Sequence, residues 1–314
     1  MNYCEQLSNE LKAQISNGSA PFKFIPDNIG EITYCFSTNI REKAYTSAER
    51  NKKLLKWGAF CILIPVLCWL IFNNSPIFDT IVSIIGVIVF VKTVLNLSKF
   101  KGTDYFVGTK GFSKVDFEKT RENIVSKDTH LYDEFSQLTT GETYKKQNYS
   151  YVGTDYFFGF FSKPDKENRV RLLIDVGGTY NQEKPSDDMV DAEYTFWKNV
   201  ESQWSLHKLE ELKNMSPDEN VTFAVIHTKD NNSGFFATPY ITITPESLIF
   251  GDRVYNRDTL KNLYFENGNI VVEHVNHSKK LFGLVEKGDI EKLPLSNIGN
   301  KKVFMLFLNS IFKL

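Results

Sequence analysis

A chain of 314 residues exceeds one typical domain, and its 37 basic against 38 acidic residues leave a formal net charge of -1. That balance removes the broad positive field by which a dedicated nucleic-acid binder attracts phosphates, so DNA and RNA are not expected as partners. The four cysteines show no framework of paired spacings, which suits a reducing compartment.

Met1 to Ser16 reads as a polar amphipathic helix, with Tyr3, Leu7, Leu11 and Ile15 at four-residue steps. It lacks the pattern of a cleavable signal peptide, which leaves the first apolar run as the expected targeting signal. Residues 1-53 form the N-terminal segment. Between Leu54 and Leu97 two apolar runs follow one another, Trp57 to Phe72 and Phe78 to Leu97. With Leu54 and Leu55 added, the first approaches the length that crosses about 30 Å of hydrocarbon. Only Asn73 to Ile77 separates the runs, so an antiparallel transmembrane hairpin is expected over 54-97, kinked at Pro65 and closely packed at Ser83 and Gly86.

Basic residues flank this hairpin. Lys52, Lys53, Lys56, Lys92, Lys99 and Lys101, together with Trp57 and Trp69, are the candidate anchoring residues at a headgroup layer. Because the turn carries no basic residue, the expected topology places both termini on the cytoplasmic side of the inner membrane.

After Leu97 the pattern alternates, and strands are expected at Tyr105 to Gly108, Phe112 to Phe117, Tyr149 to Val152, Tyr156 to Phe161 and Arg169 to Val176. Ser186 and Asp187 cap a helix over Met189 to Lys213, whose Ala192, Phe196, Val200 and Trp204 form an apolar face. Ser216-Pro217 ends that unit. Further strands are expected at Val221 to His227, Tyr240 to Thr244, Ser247 to Phe250, Asn262 to Phe265, Ile270 to Val275 and Leu281 to Val285. A closing helix follows over Asn300 to Phe312. The chain thus reads as an α+β protein with two sheet-plus-helix units, 98-214 and 215-314, behind the hairpin.

Tyr240-Ile-Thr-Ile-Thr-Pro-Glu-Ser-Leu-Ile-Phe250, then Tyr255 and Asp258 to Leu263, resembles the opening hairpins of bacterial pleckstrin-homology-like and GRAM-like domains. Tyr105 to Phe117 resembles the same opening more weakly. The resemblance implies tandem bent barrels, each plugged by a C-terminal helix, behind a two-helix membrane hairpin. The first hairpin loop lacks the Lys-x-Lys/Arg cluster of phosphoinositide readers, since Lys110 and Lys114 are separated by small and apolar residues. Protein contact is therefore the implied use of such domains here.

Nucleotide, hydrolase and zinc signatures are absent, and no catalytic residue, cofactor or metal ligand set is expected. His274 and His277 form the one close histidine pair, but three residues apart on a strand they face opposite ways. Asp187 and Asp188 suit helix capping. Phe235 and Phe236, preceded by Asn231-Asn-Ser-Gly234, are candidates for an exposed loop that meets a partner or a lipid surface. The expected function is a membrane-anchored, non-enzymatic scaffold or regulatory protein that binds protein partners or lipid headgroups. An oligomeric pore, assembled from several hairpins, is the alternative.

Overall fold

The computed structural model describes residues 3-38, 47-71, 76-98, 101-180, 192-213, 220-228, 234-256, 258-280 and 285-312. The chain divides into two units, Met1–His130 and Leu131–Leu314.

In the first unit, helix α1 (Tyr3–Ser16) lays Leu7, Leu11 and Ile15 against a sheet. That antiparallel sheet runs β1 (Ile32–Ser37), β2 (Lys101–Gly108), β3 (Gly111–Glu118) and β4 (Ile124–Leu131) in spatial order. Phe22, Ile29, Cys35, Phe106 and Val115 complete the core, where Phe22 meets Phe106 edge-on at 4.8 Å. The Cys35 N–H donates to Ser8 Oγ at 3.1 Å, and desolvation pushes its thiol up to about 12. A Cβ on Gly108 would lie 2.3 Å from the Ile29 carbonyl oxygen, so only glycine lets the end of β2 pass this loop. Buried Asp104 accepts a hydrogen bond from Ser37, and desolvation raises its carboxyl to about 6.

Two longer helices belong to the same unit, α2 (Ser47–Ile71) and α3 (Pro76–Ser98). They run antiparallel. A Cβ on Gly86 would meet the Cys61 carbonyl at 3.3 Å, tighter than ordinary contact, so this small residue sets the approach there, while one on Gly58 would sit in ordinary contact with the Phe90 ring at 3.5 Å. The expected hairpin therefore exists as a helical pair, but its expected membrane crossing does not stand. Among the described residues, no helix is long and apolar enough to cross a membrane. A crossing needs about 20 continuous apolar residues. The opening of α2, Ser47 to Lys56, carries Glu49, Arg50, Lys52, Lys53 and Lys56, while in α3 only about a dozen residues, roughly 18 Å of helix, separate Asp79 from Lys92. The transmembrane hairpin over 54-97, the inner-membrane location and the topology inferred from them are corrected accordingly.

The second unit begins with a 3₁₀ turn, Tyr132–Glu134, and a sheet of β5 (Gln137–Gln147), β6 (Ser150–Phe161) and β8 (Leu172–Tyr180). Helix α4 (Ala192–Lys213) covers it. Its Trp197 stacks on Phe158 at 6.2 Å, and Trp204 meets Phe160 edge-on at 5.9 Å. A second sheet has the order β12 (Arg253–Asn256), β11 (Ser247–Phe250), β10 (Phe235–Ile243), β7 (Arg169–Val170), with β9 (Val221–Thr228) also on β10. A third joins β13 (Leu260–Glu266), β14 (Asn269–His274) and β17 (Ile290–Pro294), and β15 (Ser278–Lys280) pairs with β16 (Val285–Lys287). Helix α5 (Lys301–Phe312) inserts Val303, Phe304 and Leu308 into a core with Phe223, Ile241, Leu248, Phe250 and Ile270.

The α+β class is as expected, but two successive barrels each closed by its own helix are not what the sheets form. Short β7 pairs with β10, Phe235 opposite Val170, which joins segments on either side of the expected boundary at 214. The expected strand over Leu281 to Val285 lies mostly outside the described residues, as do the capping residues Ser186 and Asp187.

Asn300 ties three of these elements together. Its Oδ1 accepts from the Leu138 N–H at 3.0 Å and from Trp204 Nε1 at 2.9 Å, and its Nδ2 donates to the Ser136 carbonyl at 3.3 Å. Its φ of +55° is a conformation that asparagine tolerates better than most residues. Replacing Asn300 by Ala orphans the Leu138 and Trp204 donors and strains the backbone, so urea unfolding followed by tryptophan fluorescence should show a loss of about 3 kcal/mol. Asn300→Gly relieves only the backbone part and should fall between Ala and wild type.

Candidate functional site

In the first unit the helical pair leaves a broad apolar surface uncovered. On α2, Leu55, Phe60, Ile62, Leu63, Val66 and Leu67 are exposed, and on α3 Ile84, Ile85, Val87, Ile88, Val91 and Leu95 are exposed. At 100° per residue these positions sweep an arc wider than the apolar stripe of an ordinary surface helix. Scattered exposed aliphatics are common on proteins, whereas these recur along two neighbouring helices.

Of the expected anchoring residues, Lys52, Lys56 and Trp57 are exposed on the polar-to-apolar stretch of α2, with Lys53 partly buried beside them. Trp57 packs edge-on to Phe60 at 5.8 Å. Lys92 is exposed on α3. Lys101 starts β2 instead, where it pairs with Glu118 at 2.9 Å. Lys99 lies outside the described residues, and the Trp69 side chain is likewise not described.

In the second unit a half-open basin of about 600 Å³ lies between Asp133 and Glu134 on the acidic side and Lys163, Arg169 and Arg171 on the basic side, with Phe235 in its lining. The 162-169 turn shapes it. Asp165 accepts the backbone N–H groups of Glu167 at 2.8 Å and Arg169 at 2.9 Å, and these hydrogen bonds hold its carboxyl below the usual range. Phe235 and Phe236 are not an exposed tip. They open β10, where Phe235 packs edge-on to Phe161 at 5.3 Å and Phe236 is 7% exposed. Asn231, Asn232 and Ser233 lie outside the described residues.

The acid and base groups between α4 and the β5-β6-β8 sheet satisfy one another. Glu201, buried, accepts from Thr140 Oγ1 at 3.0 Å and Lys198 Nζ at 2.6 Å, while Lys301 donates to the Thr140 carbonyl at 2.9 Å. Burial opposes the Glu201 charge, yet Lys198, Lys301 and Thr140 together outweigh it and hold the carboxyl below its ordinary value. Glu142 accepts from the Tyr194 hydroxyl at 2.8 Å and the Tyr180 hydroxyl at 3.2 Å. Such a network orders a sheet and a helix. It offers no nucleophile beside a base.

His277 is buried with Nδ1 3.5 Å from Glu273, while His274 Nδ1 accepts the Asn276 N–H at 3.2 Å, so the pair does not converge. Another histidine does meet acidic groups. His207 Nε2 lies 3.3 Å from Asp133 Oδ1 and 3.4 Å from Glu211 Oε1. The four-residue step from His207 to Glu211 was visible on an expected helix, but Asp133 is brought in only by the tertiary fold.

No protein-family model, no curated protein and no solved structure matches the chain.

Glu201→Gln removes the counter-charge of Lys198 and Lys301, which should cost about 2 kcal/mol at neutral pH. Because the folded-state value of Glu201 is depressed, its contribution is complete above the ordinary glutamate range and fades as pH falls through the folded value. The gap between variant and wild type in urea titrations should therefore close as acid is added.

Proposed function

We propose that this chain is a non-enzymatic binding protein that attaches to an anionic lipid surface through the apolar faces of α2 and α3, resting against that surface without crossing it. The order of residue types along α2 supports the reading. Lysines at 52, 53 and 56 give way to Trp57 and then to exposed Phe60, Ile62, Leu63, Val66 and Leu67. Cationic side chains suit anionic headgroups, an indole suits the interface, and aliphatic groups suit the acyl region beneath.

The energies are of useful size. Apolar area withdrawn from water contributes about 25 cal/mol per Å², and each lysine near an anionic leaflet contributes about 1 kcal/mol. Ordinary surface contacts of the rest of the chain then act at raised effective concentration, which is how a tethered scaffold exploits weak affinities. The self-satisfied acid and base groups between α4 and the β5-β6-β8 sheet fit a binding role better than a catalytic one.

Flotation of the full chain with vesicles tests the proposal. Recovery with phosphatidylglycerol-rich vesicles should exceed recovery with phosphatidylcholine alone and fall with salt. Charge reversal at Lys52, Lys53 and Lys56 should weaken the anionic preference at least tenfold, and Ile62→Asn with Leu63→Asn should abolish flotation while circular dichroism stays unchanged. A chain that stays at the bottom of the gradient and instead forms a discrete oligomer, dispersed by the same two asparagine substitutions, would overturn the lipid reading.

A further inference from the structure

The convergence on His207 goes beyond this reading and is independent of it. Asp133 comes from the 3₁₀ turn at Tyr132–Glu134, and His207 and Glu211 come from one face of α4 at i and i+4. Both supports are rigid. Tyr132 and Phe135, on either side of the acidic pair, are buried and meet Trp204 at 6.0 Å and 6.3 Å. The Tyr132 ring lies 5.5 Å from the His207 imidazole, and the Leu131 N–H donates to Glu134 Oε1 at 3.0 Å, closing the turn. On the helix side, Lys208 Nζ holds Glu211 Oε2 at 2.8 Å, which leaves Oε1 directed to the imidazole.

His207 Nε2 is closed off from solvent and makes no hydrogen bond. A protonated imidazole paired to a carboxylate closes to about 2.8 Å. Here two carboxylates stand off at 3.3 Å and 3.4 Å. Ligand atoms about 2.1 Å from a shared ion are themselves about 3.0 to 3.4 Å apart in octahedral or tetrahedral geometry. The two spacings around Nε2 suit a cation between the groups, and because the three donor atoms span up to 4.8 Å, the exposed Asp133 and Glu211 carboxylates must turn inward to share one ion.

We propose that Asp133, His207 and Glu211 form a zinc(II) site. One imidazole nitrogen and two carboxylate oxygens suit this borderline ion, whereas magnesium and calcium take oxygen-only sets. Lys208 orients the Glu211 carboxylate in the manner of an outer-sphere partner. Two carboxylates against one ammonium leave a net negative site when the imidazole is neutral. Three protein ligands leave a fourth position for water, and Asp133 also belongs to the lining of the basin.

Calorimetric titration of the metal-stripped full chain with zinc chloride tests this. One equivalent should bind, with affinity unchanged by millimolar magnesium. Asp133→Asn, Glu211→Gln and His207→Asn should each weaken binding at least tenfold, and His274→Gln should leave it unchanged. Cobalt(II) should show visible absorption that the same substitutions remove. Should His207→Asn misfold, Asp133→Asn and Glu211→Gln carry the test, because both side chains are exposed. A chain that takes up no zinc, loses it to magnesium, or binds it equally well after both acidic substitutions would overturn the site.

Discussion

The second unit depends on one amide side chain. Asn300 sits where β5, α4 and the start of α5 meet, and it serves donors and acceptors that no apolar residue could satisfy. Trp204 gains from this directly. Its indole N–H, held by Asn300, fixes the ring that packs on Phe160 and Phe135 and against which the 132-134 turn rests. A polar contact thereby sets the register of an aromatic core, because an unmatched buried N–H costs more than the ring gains from any single neighbour. The rigidity of the Asp133 turn follows from the same chain of contacts.

A different constraint governs the first unit. There α1 and its sheet bury their apolar faces against one another, whereas α2 and α3 meet along a seam and leave many of their described aliphatic side chains exposed. Gly86 brings α3 close to the α2 backbone at Cys61. Among the described residues, exposed aliphatic side chains therefore line both helices away from their seam, an arrangement that water alone does not favour. Lys52, Lys53 and Lys56 add a local excess of positive charge to a chain whose overall balance is near neutral.

Much of the architecture was legible where a periodic face meets a single core. Phe196, Val200 and Trp204 marked α4, Val303, Phe304 and Leu308 marked α5, and Ser247 to Phe250 matched β11. Strands without alternation escaped. β1 is buried at four consecutive positions, and β4 exposes Val125, Ser126, Lys127 and Asp128, so neither shows a period of two. The expected strand over Arg169 to Val176 instead divides into two-residue β7, paired with β10, and the start of β8. The apolar runs at 57-72 and 78-97 correctly signalled a helical pair, but average hydrophobicity overstated what that pair does, because charges interrupt the stretch that hydrocarbon would have to contain. The His207 cluster joins residues more than seventy positions apart, and no local spacing encodes that meeting.

The burial of Cys35 has a practical meaning for motion. Its thiol is sealed beneath α1, and with desolvation holding it in the unreactive protonated form, an alkylating reagent meets no nucleophile there while the helix stays docked. Modification at this position therefore records each excursion in which α1 lifts from its sheet. The chain carries its own clock for the breathing of its amino-terminal layer, read by mass and requiring no added label in the fold.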